Sequence, residues 1–313
     1  MTTISAKTIL RSRNASAPEH VLSTLLLRYP RWIHAEFMTH RTFSRNAASS
    51  RAIPVEKLIE DVLRDTAIPL YWGKNQRGMQ AHEECDAPVE LFDLHQNVGH
   101  YWASRGNAWL KARENAIETA RAFDKAGYHK QIVNRLLEPF SHITVLVSAT
   151  EWSNFLELRD HPDAEPHIRM LAQEIRKCLD DESTIRTLQP GEWHLPFTTD
   201  DDEMYVRTCE TSRFTSKSIE EALLKLSAAR CASTSYKTVD GFDMTLERAE
   251  QVFDKLATSK PIHASPFEHV ACADKHYGSI EGREYDSPFM VWPHYHQHRN
   301  FVGFRQYRAM IGA

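Results

Sequence analysis

At 313 residues and 42% hydrophobic content, the chain is long enough for one large domain or two small ones and can bury a core. A formal charge of -4 and a pI near 6.5 argue against a nucleic-acid polymer as partner, because that calls for a basic face that shows in the total, whereas a few local arginines suffice for one nucleotide. The five cysteines, Cys85, Cys178, Cys209, Cys231 and Cys272, are odd in number and lack Cys-x-x-Cys spacing, which indicates neither a disulfide framework nor a zinc site. Lys7, Arg11 and Arg13 lie in a stretch without an apolar signal core, and no apolar run is long enough to span a bilayer. The expectation is a cytoplasmic protein with no membrane partner.

In chain order, Ser5 to Arg13 and Val21 to Arg28 read as two strands around the polar break Asn14 to Pro18, with Pro30 stopping the second. Trp32, Ile33, Phe37 and Met38 recur at helical spacing, which puts His40 and Arg41 at a helix C-terminus facing a polar loop. Pro54 opens a helix over Val55 to Leu63, with Val55, Leu58, Ile59 and Val62 on one side. Residues 68 to 88 are rich in Gly, Pro and polar types and read as irregular. Leu91 to Ala126 is a long stretch of helix formers capped by Gly127, and a helix over His129 to Leu137 ends at Pro139. Ile143 to Leu158 is the most apolar stretch in the middle of the chain, and Ala164 to Leu179 is helical. Residues 181 to 216, with Pro190, Pro196 and the acidic run Asp200 to Glu203, read as a solvated excursion. Helices resume over Ser218 to Cys231 and Thr245 to Ala257, the latter with Thr245 as N-cap.

Three stretches carry chemistry. Thr39 to Arg51 packs cations, an imidazole, an amide and hydroxyls together without a carboxylate, which suits phosphates and an electron-rich ring. The bland alternative is a helix end, where His40 and Arg41 answer the carbonyl pole of the dipole. The second runs from Asn134 through Arg135 to Pro139 and on through Asn154 to Arg159. On a helix, Asn154 and Arg159 are near enough in angle to serve one ligand, although Arg159 by itself reads as an ordinary helix-end arginine. The third is His263-Ala264-Ser265-Pro266-Phe267-Glu268-His269.

Together these stretches resemble the flavin-dependent thymidylate synthases. His40, Arg41, Ser44, Asn46, Ser49 and Arg51 fall in register with that family's Arg-His-Arg signature and the Ser, small residue and Arg that follow it. Thr39 replaces the first Arg and Ala47 a Glu. Arg135 to Pro139 is similar to its Arg-x-x-x-Pro helix, Asn154 to Arg159 to its Asn-Phe-Leu-x-Leu-Arg, and His263 to His269 to its His-x-Thr-Pro-Phe-Glu-His, with Ser265 for Thr. Ser148 and Thr150 stand where the family has Asn and Arg. Arg230 to Tyr236 resembles an Ala-Arg-Val-Ser-Phe/Tyr stretch. The last two motifs precede the signature in the usual members but follow it here, so the chain resembles a circularly permuted, phage-type member.

The resemblance implies an α/β (α+β) fold with a mixed sheet and several helices. It implies a single catalytic domain over 1–313, with insertions at about 68–110 and 181–216. It implies FAD as cofactor, NADPH and methylenetetrahydrofolate as co-substrates, and a homotetramer whose active sites lie between subunits. Arg159 becomes the arginine against the pyrimidine that favours ionisation at its N3. Glu36, Ser49, Ser50, Arg51 and Arg135 become nucleotide contacts, and His40, Arg41, Asn46, Asn154, His263 and Ser265 flavin contacts. The implied reaction moves a one-carbon group to C5 of dUMP. Because Glu36 replaces a Gln, and Thr39 and Ala47 also depart from the pattern, a dUMP or dCMP hydroxymethylase is the alternative, and a non-catalytic nucleotide- or flavin-binding protein is a third. The alternating His294, His296 and His298, with His276 near in sequence, read as a polar strand or subunit contact rather than a metal site, since no acidic partner is nearby in sequence. Cys272 with His269 and His276 is the best candidate for covalent catalysis, but nothing supplies a third member or an oxyanion hole.

Overall fold

The computed structural model describes residues 2–78, 80–93, 99–209, 216–234, 244–260, 262–277 and 291–312. Strands β1 (Ser5–Asn14) and β2 (Ala17–Pro30) form an antiparallel hairpin. Its turn is tighter than the polar break implied, because Asn14 Oδ1 accepts from both the backbone N–H and the hydroxyl of Ser16, at 2.8 and 2.7 Å. After the 3-10 turn Arg31–Ile33 come α1 (His34–Phe37), β3 (Ser44–Ala47) and α2 (Val55–Arg64). Strands β4 (Val89–Asp93) and β5 (Gly99–Ala103) precede α3 (Arg105–Lys125) and α4 (Lys130–Val133). A 3-10 stretch Asn134–Phe140 leads into β6 (His142–Ala149), α5 (Ser153–Arg159) and α6 (Pro166–Asp180). The chain continues through β7 (Ile185–Leu188), β8 (Trp193–His194), α7 (Asp200–Cys209), α8 (Ser216–Ser233), α9 (Leu246–Thr258), β9 (Ala271–Ala273) and β10 (Phe304–Gln306).

The main sheet has the order β3-β6-β2-β1-β7; all its pairs are antiparallel except β1 with β7, so the α/β architecture with a mixed sheet is as expected. Strand β6 is buried along its whole length. With side chains alternating between faces, Ile143, Val145, Val147 and Ala149 join Leu25, Leu27, Tyr29 and the α6 residues Ile168, Leu171 and Ile175 in one core. Leu146 points the other way, to Leu26, Phe197 and Cys231. Each such apolar side chain contributes about 1.5–3 kcal/mol by leaving water. A separate cluster joins α2, α3 and the Asn134–Phe140 stretch, with Ile59, Ile117 and Leu137 among its members.

Several expectations change. Leu91 to Ala126 is not one helix: Val89–Asp93 and Gly99–Ala103 pair as a hairpin, and α3 begins only after Ser104, whose hydroxyl accepts from Asn107 N–H. Pro139 sits inside the 3-10 stretch rather than ending a helix. Residues 181–209 of the expected excursion are structured, and 210–215 lie outside the described residues. Ile185–Leu188 extends the main sheet beside β1, and the acidic run opens α7, where carboxylates favour the N-terminal pole of the dipole. Thr199 and Asp202 cap that helix reciprocally, and Arg230 clamps Asp202 with two hydrogen bonds of 2.6 and 2.9 Å. The alternating histidines lie on a 3-10 turn (Tyr295–Gln297), not a strand. Both His294 and His298 bond the buried Asp274, at 2.8 and 2.9 Å; extended backbone would hold the two roughly 13 Å apart, too far for one carboxylate.

A buried polar chain fastens the small sheet β10-β9-β8 to the large one. Ser12 Oγ meets His194 Nδ1 at 2.7 Å, His194 Nε2 meets Thr24 Oγ1 at 2.8 Å, Thr24 meets Ser148 at 2.6 Å, and Ser148 Oγ meets His269 Nδ1 at 2.9 Å. Burial lowers both imidazoles to about 3, so they fold neutral; His34 and His142 are each pushed down to about 4, chiefly by burial. The unfolded chain protonates these histidines near 6.5 while the folded one does not, so stability is full above that pH and drains as pH falls toward the folded values. Thermal melts should therefore be level above pH 7 and drop steadily from about pH 6.5 toward 4. A melting temperature unchanged between pH 7 and 5 would contradict the neutral burial of these rings.

Candidate active site

The turn after β2 builds the first part of the site. Phe37 is buried between Tyr29, Phe43 and Phe155, which fixes α1 against the sheet and α5. Beyond Phe37 the carbonyls of Met38 and His40 accept hydrogen bonds from Arg45 Nη1 at 3.0 and 2.9 Å. Arg45, one strand position before Asn46, thus does the helix-end work that His40 and Arg41 offered on sequence grounds. The His40 ring instead packs edge-on against Phe155, with centroids 4.9 Å apart.

On α5, Phe155 and Arg159 are one turn apart and share a face, so the phenyl ring that anchors the helix also aims the guanidinium. Arg159 Nε donates to His40 Nε2 at 3.0 Å, Nη1 lies 3.4 Å from Glu36 Oε2, and Nη2 3.5 Å from Thr39 Oγ1. Burial, then the Arg159 and Arg45 charges, hold His40 below its ordinary range. A neutral ring accepting at Nε2 carries its proton on Nδ1. Glu36 and Arg159 line a cavity of about 1010 Å³ whose lining also takes Tyr71, Gln80 and His82 from the irregular 68–88 segment. That segment doubles back as a strap: Cys85 N–H donates to Trp72 O at 2.7 Å, Lys74 N–H to Glu83 O at 2.8 Å, and Gln80 Nε2 donates to Asp163 O on the α5–α6 loop.

A second cluster surrounds Ser50 and Arg135. Ser50 Oγ and Arg135 Nη1 both donate to Glu138 Oε1 at 2.9 Å, while buried Asn134 fixes the local backbone by donating to the carbonyls of Ser50 and Ile53 at 2.7 and 2.9 Å. Ser49 flanks it half-buried and Arg51 exposed. Among the described residues no hydrogen bond or ion pair joins Arg135 to Arg159, so within one chain the two arginines head separate clusters.

The residues assigned to flavin divide as well. His40 is in the first cluster; Arg41 and Asn154 are exposed. Asn46 is buried, and its amide donates to Cys231 O at 2.6 Å and Thr234 Oγ1 at 3.1 Å, which ties β3 to the end of α8. His263 lines a groove of about 740 Å³ with Arg248 and Lys255 along an apolar wall of Val252 and Leu256, and exposed Ser265 follows two residues on. Cations beside apolar surface are a donor set that fits a group carrying both phosphates and a flat ring. Although it comes late in the chain, the Ser265–Glu268 turn packs on β3, directly after His40 and Arg41. Ser235 and Tyr236 of the Arg230 motif lie outside the described residues. Cys272 is buried, with its thiol pushed up to about 11 by burial, unsuited to nucleophilic attack at neutral pH.

In this mixed α/β fold Glu36 and Arg159 line the cavity and neutral His40 backs Arg159, a set of groups whose chemistry suits a small polar ligand. The family model described as thymidylate synthase complementing protein matches residues 3–183, more than half of the chain, and the protein belongs to that family. The match stops before the His263 motif. Among solved structures, a UMP/dUMP methylase PolB from Streptomyces cacaoi bound with 5-Br UMP is 18% identical, covering 59% of this chain and 91% of that one with a TM-score of 0.44. The same protein bound with 5-Br dUMP gives 16% identity, 59% and 92% coverage, and a TM-score of 0.42. No curated protein matches the sequence. Among the described residues, no helix is long and apolar enough to cross a membrane.

Sequence reasoning passed over Arg45, Glu138, Arg31 and the strap residues Tyr71, Gln80 and His82. Glu138 stood inside a quoted motif but reads as a routine i,i+3 partner of Arg135; the strap gives no periodic signal at all. The Asn46 contacts yield a direct check. Replacing it by Ala removes two buried hydrogen bonds, leaving Cys231 O with the one from Thr234 Oγ1 at 2.7 Å, and should cost about 1–3 kcal/mol in chemical denaturation. Unchanged stability with loss of ligand binding would instead return Asn46 to the cofactor.

Proposed function

We propose that the protein transfers a one-carbon unit from methylenetetrahydrofolate to C5 of a pyrimidine deoxynucleotide, as a flavin-dependent thymidylate synthase acting on dUMP. The observation that carries this reading is Arg159, a guanidinium oriented by His40, Glu36 and Thr39 that lines the cavity. Bound FAD, reduced by NADPH, would supply the hydride that completes the methyl group. Arg159 donates to the ring edge and stabilises negative charge gathering there as C5 becomes nucleophilic. Neutral His40 engages Nε, and the outer nitrogens, held at the longer distances of 3.4 and 3.5 Å by Glu36 and Thr39, each keep a second hydrogen to offer substrate. Ser49, Ser50, Arg51 and Arg135 hold the phosphate; His40, Arg41, Asn154, His263 and Ser265 serve the flavin. The separation of Arg135 from Arg159 in one chain suits a site completed between subunits of a homotetramer. The packing of the late Ser265–Glu268 turn on β3 supports a permuted gene order.

A second reading, hydroxymethylation of dCMP with water in place of hydride, is favoured by the Glu36–Arg159 pair. Cytosine offers N4–H donors beside the N3 and O2 acceptors, which matches a carboxylate next to a guanidinium. Uracil would set its O4 against the carboxylate, acceptor against acceptor. The product mass from dUMP and from dCMP with the folate donor separates the two. On the cytosine reading, Glu36→Gln should lower kcat/KM for dCMP at least about tenfold and spare dUMP. On either reading, Arg159→Ala should lower kcat by roughly a hundred- to a thousandfold while flavin stays bound. Loss of the yellow cofactor from that variant would contradict the role given to Arg159.

A further inference from the structure

Three donors converge on one oxygen of Glu138. Ser50 Oγ and Arg135 Nη1 each reach Oε1 at 2.9 Å, and Arg31 Nη1 approaches the same atom at 3.9 Å. The donors come from the loop after β3, the Asn134–Phe140 stretch and the turn after β2, and the backbone of each is independently fixed. Asn134 holds the Ser50 carbonyl, Arg31 N–H donates to Ser141 O at 3.0 Å, and the Ser141 hydroxyl and N–H both donate to Glu138 O. The cradle is therefore preformed. Its charge is unbalanced, with two guanidiniums facing one carboxylate. Arg31 is mostly buried, its pKa is lowered chiefly by that burial, and its Nε is a buried donor without a partner. A buried guanidinium short of an acceptor, beside a second guanidinium and a serine hydroxyl, suits a group with more oxygens and more charge than a carboxylate carries.

We propose that Glu138 is an internal stand-in for a phosphate monoester: it occupies the anion cradle of Ser50, Arg135 and Arg31 and is displaced when a phosphorylated ligand binds. Taking that ligand to be the substrate nucleotide rests on the function proposed above. The side chain is about one quarter exposed, enough to swing outward on its own torsions while its backbone stays in place. A phosphate entering the cradle takes over the Ser50 and Arg135 bonds and gives the Arg31 fork the acceptor that Glu138 reaches only at 3.9 Å. Glu138 thereby weakens binding of anything phosphorylated while keeping two cations from repelling each other in the unliganded protein. Arg31, outside the motif segments, becomes a phosphate ligand.

Titration calorimetry of the full chain with inorganic phosphate, dUMP and deoxyuridine tests this. Glu138→Gln keeps an acceptor for Ser50 but removes the charge, so phosphate and dUMP should bind about tenfold more tightly than to the unsubstituted protein, about 1.4 kcal/mol, with deoxyuridine unaffected. Their affinities should also depend more steeply on salt. Glu138→Ala should move in the same direction, and Arg31→Gln in the Glu138→Gln background should reverse most of the gain. Equal or weaker phosphate binding in both Glu138 variants, or loss of a cooperative thermal melt in both, would overturn the proposal and leave Glu138 a structural pin. Tighter phosphate with no heat from dUMP in any variant would uphold the anion cradle and count against the nucleotide reading.

Discussion

Strand β6 is buried from His142 to Ala149 on both faces, and the placement of everything chemical follows from that constraint. A strand with no solvated face accepts only elements that cover it, so α6 closes one side and the Leu26, Phe197 and Cys231 cluster the other. Its N-terminal end receives the Asn134–Phe140 stretch with Arg135 and Glu138. Its C-terminal end delivers Trp152 and Phe155, and through Phe155 the guanidinium of Arg159. Strand β3, paired to β6 from Ser44 to Ala47, supplies Arg45, which gathers the carbonyls of the turn ahead of it, and Asn46, which reaches α8. The two arginine clusters are therefore set by opposite ends of one buried strand.

Electrostatically the two clusters work by opposite means. Around Arg159, a neutral imidazole and a half-exposed carboxylate orient a cation without neutralising it fully, which leaves the fork able to act on a ring edge. Around Arg135, a carboxylate takes the position of an incoming anion, and two guanidiniums compensate it. Each arrangement depends on a histidine or glutamate whose importance is a matter of neighbours in space. His40 becomes an acceptor because burial and two nearby guanidiniums keep it neutral.

Local physics made much of this readable from residues alone. The hairpin β1–β2, the amphipathic α2 and α6, and α9 with its Thr245 cap follow from periodicity and capping, which are properties of short windows. The start of the Leu91–Ala126 stretch did not follow, because Glu90, Leu91 and Ala103 are helix formers that pair as strands, whereas its end at Ala126 with Gly127 behind it, at φ +87°, did. Nor did β7, whose Ile185–Leu188 is too short to announce itself and becomes a strand by lying beside β1. His294 and His298 misled for a related reason: their spacing suits a strand until buried Asp274, some twenty residues earlier, collects both. At the site, motif register brought Glu36, His40 and Arg159 to one place. The same register gave Asn46 a ligand role, although its amide bonds to the end of α8, a contact between residues far apart in sequence that no local window contains.

The central claim is that Arg159 and its neighbours present a pyrimidine nucleotide to a bound flavin. Absorption spectra of the purified protein, recorded while dUMP or dCMP is added, test it most directly. The account predicts an oxidised flavin band in the visible that shifts saturably with one of the two nucleotides, and a shift that vanishes in Arg159→Ala with the band itself retained. A protein that binds the nucleotide without any flavin band, even after incubation with FAD, or a flavin band indifferent to both nucleotides, would contradict it.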